Sequence, residues 1–167
     1  MPWRRTSPAG RAFIRDQEGV QLQPYEDSAG RLTIGVGHLL TPQELESGEI
    51  LAGSQWVQWR NGITEEQADD ILARDLRATE NGVNVAIGNA PVTQSQFDAL
   101  VSLAYNIGVN AFAHSTLCRL VVQGRMDEAA KAFSQWRYSG GEVVPGLVAR
   151  REREAELFSG GSSESTV

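Results

Sequence analysis

Three residues near the start of the chain have types and spacing that could move a proton and hold a water: Glu18, Asp27 and Thr33. Glu18 comes four residues after Ile14, so it lies on the apolar side of a helix that includes Phe13 and Ile14. It also falls at that helix's C-terminal end. Burial and the helix dipole there both disfavour a negative charge. A carboxyl kept protonated near neutral pH is what a general acid requires. A solvated glutamate at a frayed helix end fits the same position, and Glu18 alone does not choose between the two.

Asp27 opens the turn Asp27-Ser28-Ala29-Gly30, where an aspartate commonly bonds its own turn backbone. Strand parity adds a second reading. With Ser28, Ala29 and Gly30 as the loop, Tyr25, Asp27, Arg31 and Thr33 share one face, while Leu32, Ile34 and Val36 share the apolar one. Asp27 and Thr33 then project to the same side, as two groups holding one water must.

These residues need elements to position them. Ser7-Pro8 reads as an N-cap and first helical position, and Gly19 as the helix's stop. Alternation between Val20 and Val36 predicts a β-hairpin with room for a third short strand. Thr41-Pro42-Gln43-Glu44 and Thr64-Glu65-Glu66-Gln67 are helix-start signatures. The stretch from Gly48 to Gly62 shows no clear period and reads as loop or short helix. Apolar spacing from Ala68 through Val83 predicts a long helix reaching Ile87, with Gly82 as a point where it can bend. Thr93 caps a helix, apolar nearly all round, that should be the centre of a core. Shorter helices follow at Ser115–Val122 and Asp127–Ser134, and a last one after Pro145.

A length of 167 residues suits one domain or one domain with two lobes. A net charge of −6 argues against nucleic acid as a partner. The single cysteine, Cys118, permits no internal disulfide, and its leucine neighbours suggest a buried thiol. No stretch is long and apolar enough to span a membrane, and no secretory signal is evident. Serine-hydrolase, zinc-protease and phosphate-loop motifs are missing, so neither metal nor cofactor is expected.

Glu18, Asp27 and Thr33, followed by Ile34-Gly35-Val36-Gly37-His38-Leu39-Leu40, resemble the active-site block of the phage-type lysozymes. The resemblance extends through Ile63-Thr64, the segment from Thr93 to Gly108, Ser115-Thr116-Leu117, Asp127-Glu128-Ala129-Ala130 and Gly146-Leu147-Val148. It covers roughly residues 12–158, and the later segments look closest to the lambdoid branch. That branch often carries an N-terminal membrane-anchoring segment, which is not evident here.

The resemblance implies an α+β, mostly α, two-lobed fold. A β-hairpin lobe of about residues 12–63, a connecting helix of about 64–87 and a helical lobe of about 88–158 would make one domain over 1–159. The N-terminal helix would pack on the helical lobe, and the Gly/Ser-rich stretch 160–167 would be a flexible tail. It also implies an endolysin, a muramidase acting on bacterial peptidoglycan. Glu18 would be the acid, Asp27 the base that activates water and Thr33 the group that orients it, with inversion at the sugar carbon. The expected substrate contacts are Leu39, Tyr105 and Ser115. A structural pair between His38 and Asp75, and Arg150 or Arg151 beside Glu18, are implied as well. For the arginines, a solvated Arg/Glu helix surface is the alternative. Where some members carry an asparagine, this chain has Ala132. Trp56 and Trp59 could add a sugar-stacking edge or anchor a core. The implied protein is a monomer made in the host cytoplasm, with no direct membrane anchor, that reaches the wall after a separate phage holin acts. A lytic transglycosylase would leave Asp27 and Thr33 idle, and a non-catalytic wall-binding module would leave all three idle.

Overall fold

In the computed structural model, which describes residues 3–160, helix α1 spans Pro8–Glu18. Its start is tied by Ser7, whose hydroxyl accepts from the Gly10 amide at 3.0 Å and donates to the buried Asp98 at 2.5 Å. Its end is set by Gly19, whose φ of +82° turns the chain out of the helix. Strands β1 (Gln21–Glu26), β2 (Leu32–Gly35) and β3 (His38–Leu39) then form one antiparallel sheet in sequential order. Tyr25 pairs with Thr33 and Gln21 with Gly35, so β1 carries an irregularity between them. Pro24 lies in that stretch and has no amide to donate to a ladder.

Helix α2 (Pro42–Ser47) has the reciprocal capping box of Thr41 and Glu44. The next stretch differs from the sequence expectation. Instead of a loop or short helix, Gly48 to Gly62 contains a β-hairpin, β4 (Glu49–Ala52) and β5 (Gln55–Gln58), then a short 3-10 turn at Trp59–Asn61. Gly53, at φ +63°, supplies the left-handed position of a two-residue connection. The alternation was hidden because apolar residues stand on both faces: Ile50 and Ala52 are buried, while Leu51 and the exposed Trp56 pair on the other face.

Helix α3 (Glu65–Ile87), 23 residues or about 35 Å long, begins at a second capping box between Thr64 and Gln67. Gly82 also has a packing use. A Cβ there would collide with Val109 Cγ1, so the glycine admits the neighbouring chain. Helices α4 (Gln94–Ile107), α5 (Val109–Ala113), α6 (Thr116–Val122), α7 (Met126–Ala132) and α8 (Pro145–Gly160) complete the helical part. A small hairpin, β6 (Tyr138–Ser139) and β7 (Glu142–Val143), precedes α8. Helix α8 includes Gly160, the first residue of the expected Gly/Ser-rich tail; residues 161–167 lie outside the described residues. No described helix is long and apolar enough to cross a membrane.

The chain divides into two compact units, Arg11–Asp75 and the remainder, with the divisions inside α1 and α3. In the Arg11–Asp75 unit, Ile34, Leu40, Ile50, Trp59, Ile63 and Ile71 form the core. In the other, Phe97, Leu100 and Leu103 of α4 are fully buried, and Phe133 meets Phe158 with ring centroids 5.5 Å apart. Each such side chain contributes about 1.5–3 kcal/mol through burial.

Candidate active site

Asp27 holds its own turn. Its Oδ1 accepts the amides of Ala29 and Arg31, each at 2.9 Å, and Oδ2 accepts from Arg31 Nε at 3.1 Å. The backbone closes the same loop, with the Asp27 amide donating to the Arg31 carbonyl at 2.9 Å. These bonds are those of the turn-bonding reading of Asp27. The Arg31 amide is the largest influence on the Asp27 carboxyl, and together with the Ala29 amide and the Arg31 side chain it outweighs desolvation and holds the carboxyl below its ordinary value.

Thr33 lies across β1 from Tyr25 and is 4% exposed. Its hydroxyl donates to the Arg31 carbonyl at 3.0 Å. With the donor spent, the oxygen's lone pairs remain as acceptors. Parity misjudged one neighbour. Leu32, expected on the apolar face with Ile34 and Val36, is 36% exposed while those two are buried. Leu32 is the first residue of its strand, beside the loop and outside the core cluster.

Glu18, half-buried, ends α1 within reach of the β2–β3 turn: a Cβ built on Gly37 would lie 3.6 Å from Glu18 Oε1. Gly37 adopts φ +70°, so the turn both needs glycine and leaves space beside the carboxylate. Tyr25 ties the group together. Burial raises its phenol pKa, and the charges of Asp27 and then Glu18 raise it further. One side chain thus lies in the field of both carboxylates.

The segment that carries Glu18 is fixed from α3. Asp69 accepts from Arg11 Nε at 3.2 Å and from Arg15 Nη1 at 2.5 Å. Arg11 and Arg15 are four apart on α1 and so share a face. That spacing was the available signal for this anchor, and the sequence reading passed over it.

His38 is buried, with Nδ1 2.7 Å from Asp75 Oδ2 and Nε2 2.8 Å from Glu44 Oε1. Burial disfavours its charge, but Asp75 and then Glu44 outweigh that and leave its pKa above the ordinary 6.5. Glu44 Oε1 also accepts the Thr41 amide at 2.9 Å. The capping box was legible in the sequence; the second duty of Glu44 toward His38 was not.

Leu39 is exposed on β3 and Tyr105 is half-buried on α4. Ser115 caps α6, accepting from the Cys118 amide at 3.0 Å and donating to the Phe112 carbonyl at 2.6 Å. Ala132 is buried and apolar, so it offers no side-chain hydrogen bond. Trp59 is not a sugar-stacking edge: it is 2% exposed, and its indole donates to the Glu44 carbonyl. Arg150 and Arg151 do not form a solvated face. They are buried with Glu154, at 3.1 Å from Arg150 Nε and 2.8 Å from Arg151 Nε. Burial pushes the Glu154 carboxyl above its ordinary value, while Arg151, Ser102 and Arg150 pull it back in part. Cys118 is buried, and that burial raises its thiol pKa.

A family model described as phage lysozyme matches residues 15–154. The chain is 42% identical over 161 residues to an endolysin of Bacillus phage PZA, covering 95% of this chain and 57% of that protein. The chain thus spans little more than half the length of that relative. A solved structure of a mutant P22 lysozyme is similar with a TM-score of 0.78 and 33% identity, covering 93% of this chain and 99% of that one. The muramidase domain of SpmX from Asticaccaulis excentricus is similar with a TM-score of 0.73 and 35% identity, covering 93% and 98%. The mostly helical α+β architecture described above is the one shared with these lysozyme structures.

Proposed function

The chain belongs to the phage lysozyme family, and from that premise we propose that it is an endolysin that hydrolyses the glycan strands of bacterial peptidoglycan. The bond cut is the β-1,4 link between N-acetylmuramic acid and N-acetylglucosamine. The observation that carries this reading is that Glu18 ends α1 beside the Gly37 turn of the same small sheet whose β1–β2 loop holds Asp27 and whose β2 carries Thr33.

Glu18 gives its proton to the glycosidic oxygen, so that the leaving sugar departs as a neutral alcohol. Positive charge grows on the ring carbon as that bond breaks. Asp27, held ionised by the Arg31 amide and its neighbours, opposes that charge. The attacking water donates one hydrogen to Asp27 and the other to the Thr33 oxygen, whose own proton is occupied by the Arg31 carbonyl. The water's lone pair is then free to face the ring carbon. As the new C–O bond forms, Asp27 takes the water's proton. A carboxylate is a weak base, so the proton moves late, once the water oxygen has become positive. Attack from the face opposite the leaving group inverts the sugar carbon. That geometry calls for carboxyls roughly 6.5–9.5 Å apart.

In this reading the protein works as a monomer, made in the host cytoplasm and admitted to the wall by a separate phage holin. Leu39, Tyr105 and Ser115 would touch the glycan or its peptides. Purified peptidoglycan provides the test. Wild type should release reducing ends, and Thr33→Val should slow release by roughly a hundredfold, since it removes a group that orients the water. No release by wild type, or a Thr33→Val variant as fast as wild type, would count against this reading.

A further inference from the structure

The Arg11–Asp75 unit contains a cavity of about 570 Å³ that the proposed chemistry leaves unused. None of Glu18, Asp27 or Thr33 lines it. Its wall is the outer face of the β4–β5 hairpin, where Leu51 and Trp56 are cross-strand partners. Ile50 and Ala52, on the opposite face, are buried in the core, so alternation turns Leu51 and Trp56 toward the cavity. Trp56 is 64% exposed, an uncovered indole beside a concavity. Gln43 and Glu49 add amide and carboxylate groups to the rim, Ser47 lies there with its hydroxyl bonded to the Glu49 backbone, and Arg74 adds a guanidinium.

The charge balance selects the class of occupant. The two inner carboxylates, Glu44 and Asp75, are spent on His38 at 2.8 and 2.7 Å. Arg74 is spent as well: it donates to the Leu51 carbonyl and lies 3.9 Å from Glu44. An anion would find no uncommitted cation among these groups and would meet Glu49. A small cation would find Glu49 alone. A neutral ring with one apolar face and several hydroxyl or amide groups fits both parts of the wall. It can stack on the indole while the rim groups donate and accept.

We propose that this cavity is a second saccharide site, which stacks an N-acetylhexosamine unit of a wall glycan strand on Trp56 and retains the enzyme on its substrate. The site rests on the muramidase reading for its source of sugar, but not on the catalytic residues. Its effect is retention: it adds affinity for long, multivalent glycan without altering the bond-breaking step.

The test uses the full chain carrying Glu18→Gln, so that bound glycan survives, with and without Trp56→Ala. Trp56 is exposed and outside the core, so the variant should fold; its circular dichroism and melting curve check this. Chitotetraose should shift the Trp56 indole N–H signal in a two-dimensional NMR spectrum, identified by its loss in Trp56→Ala. Retention on purified sacculi should fall about tenfold in Trp56→Ala, and chitotetraose should compete with sacculi for the protein that keeps Trp56. In the active chain, Trp56→Ala should leave hydrolysis of short soluble glycan fragments unchanged and slow clearing of intact sacculi. An unshifted indole at millimolar sugar overturns the proposal. A shifted indole with unchanged sacculus retention overturns the wall strand as occupant and leaves a site for free sugar. Failure of wild type to release reducing ends would instead strike the muramidase reading, and the indole shift does not depend on it.

Discussion

Arg31 closes its guanidinium on Asp27 across the β1–β2 loop, with Nε and Nη2 each 3.1 Å from Asp27 Oδ2. The same residue's backbone amide reaches Oδ1 at 2.9 Å. Arg31 therefore both shapes the loop and keeps the carboxyl ionised, and its two contributions can be separated by mutation.

Arg31→Ala removes the guanidinium and spares the amide, which is the larger influence on Asp27. The Asp27 pKa should rise but stay below its ordinary value. If ionised Asp27 is needed for turnover, the acidic limb of the pH profile of kcat/KM moves to higher pH. A limb that does not move would show that some other group controls it.

His38 makes a pH-dependent contribution of the opposite sign. Its folded pKa is raised above 6.5, so the stabilisation from Asp75 and Glu44 is fully present below about pH 6.5 and is lost as pH rises through the folded value. Asp75→Asn should cost about 1.5–3 kcal/mol at pH 5.5, the range for a charge-assisted hydrogen bond. The difference from wild type should narrow in alkaline solution. Thermal melts across pH 5 to 9 read this directly, and a difference constant over that range would contradict it.

Asp69 is expected to matter more for rate than for stability. Its pairs with Arg11 and Arg15 are partly exposed, so Asp69→Ala should cost about 1 kcal/mol. Freeing the segment that ends in Glu18 should lower kcat roughly ten- to a hundredfold, because small misplacements of a proton donor are costly. Equal losses in kcat for Asp69→Ala and for a surface variant such as Glu66→Ala would refute this positioning role.

Gly82→Ala sets two effects against each other. Alanine gains about 1 kcal/mol of helix propensity. The new Cβ, however, collides with Val109 Cγ1, and overpacking of that kind costs about 1–3 kcal/mol. The melting temperature should fall by a few degrees. A rise would mean that Val109 moves aside freely.

What the sequence disclosed and what it hid divide along physical lines. Helix starts at Thr41, Thr64 and Thr93 were readable because each is a local exchange between residues three apart. The Asp27 loop was readable because turn chemistry acts over a few residues. The β4–β5 hairpin was hidden, since its outer face carries a tryptophan in solvent and its inner face only small and aliphatic groups. The buried set of Arg150, Arg151 and Glu154 was hidden for a related reason. Spacing puts them on one stripe of α8 with Phe158, but charged residues on a helix read as a wet face until the element covering them is known. The bond from Glu44 to His38 needed tertiary structure, because β3 and α2 must meet before that carboxylate can serve two partners.

The most direct test of the central claim is the mass spectrum of muropeptides released from purified peptidoglycan by wild type and by Glu18→Gln. Fragments with hydrated reducing ends from wild type, absent with the variant, are the predicted result and identify a hydrolase that uses Glu18 as its acid. Anhydro ends would contradict the water-based mechanism assigned to Asp27 and Thr33, and equal release by the variant would contradict the role of Glu18.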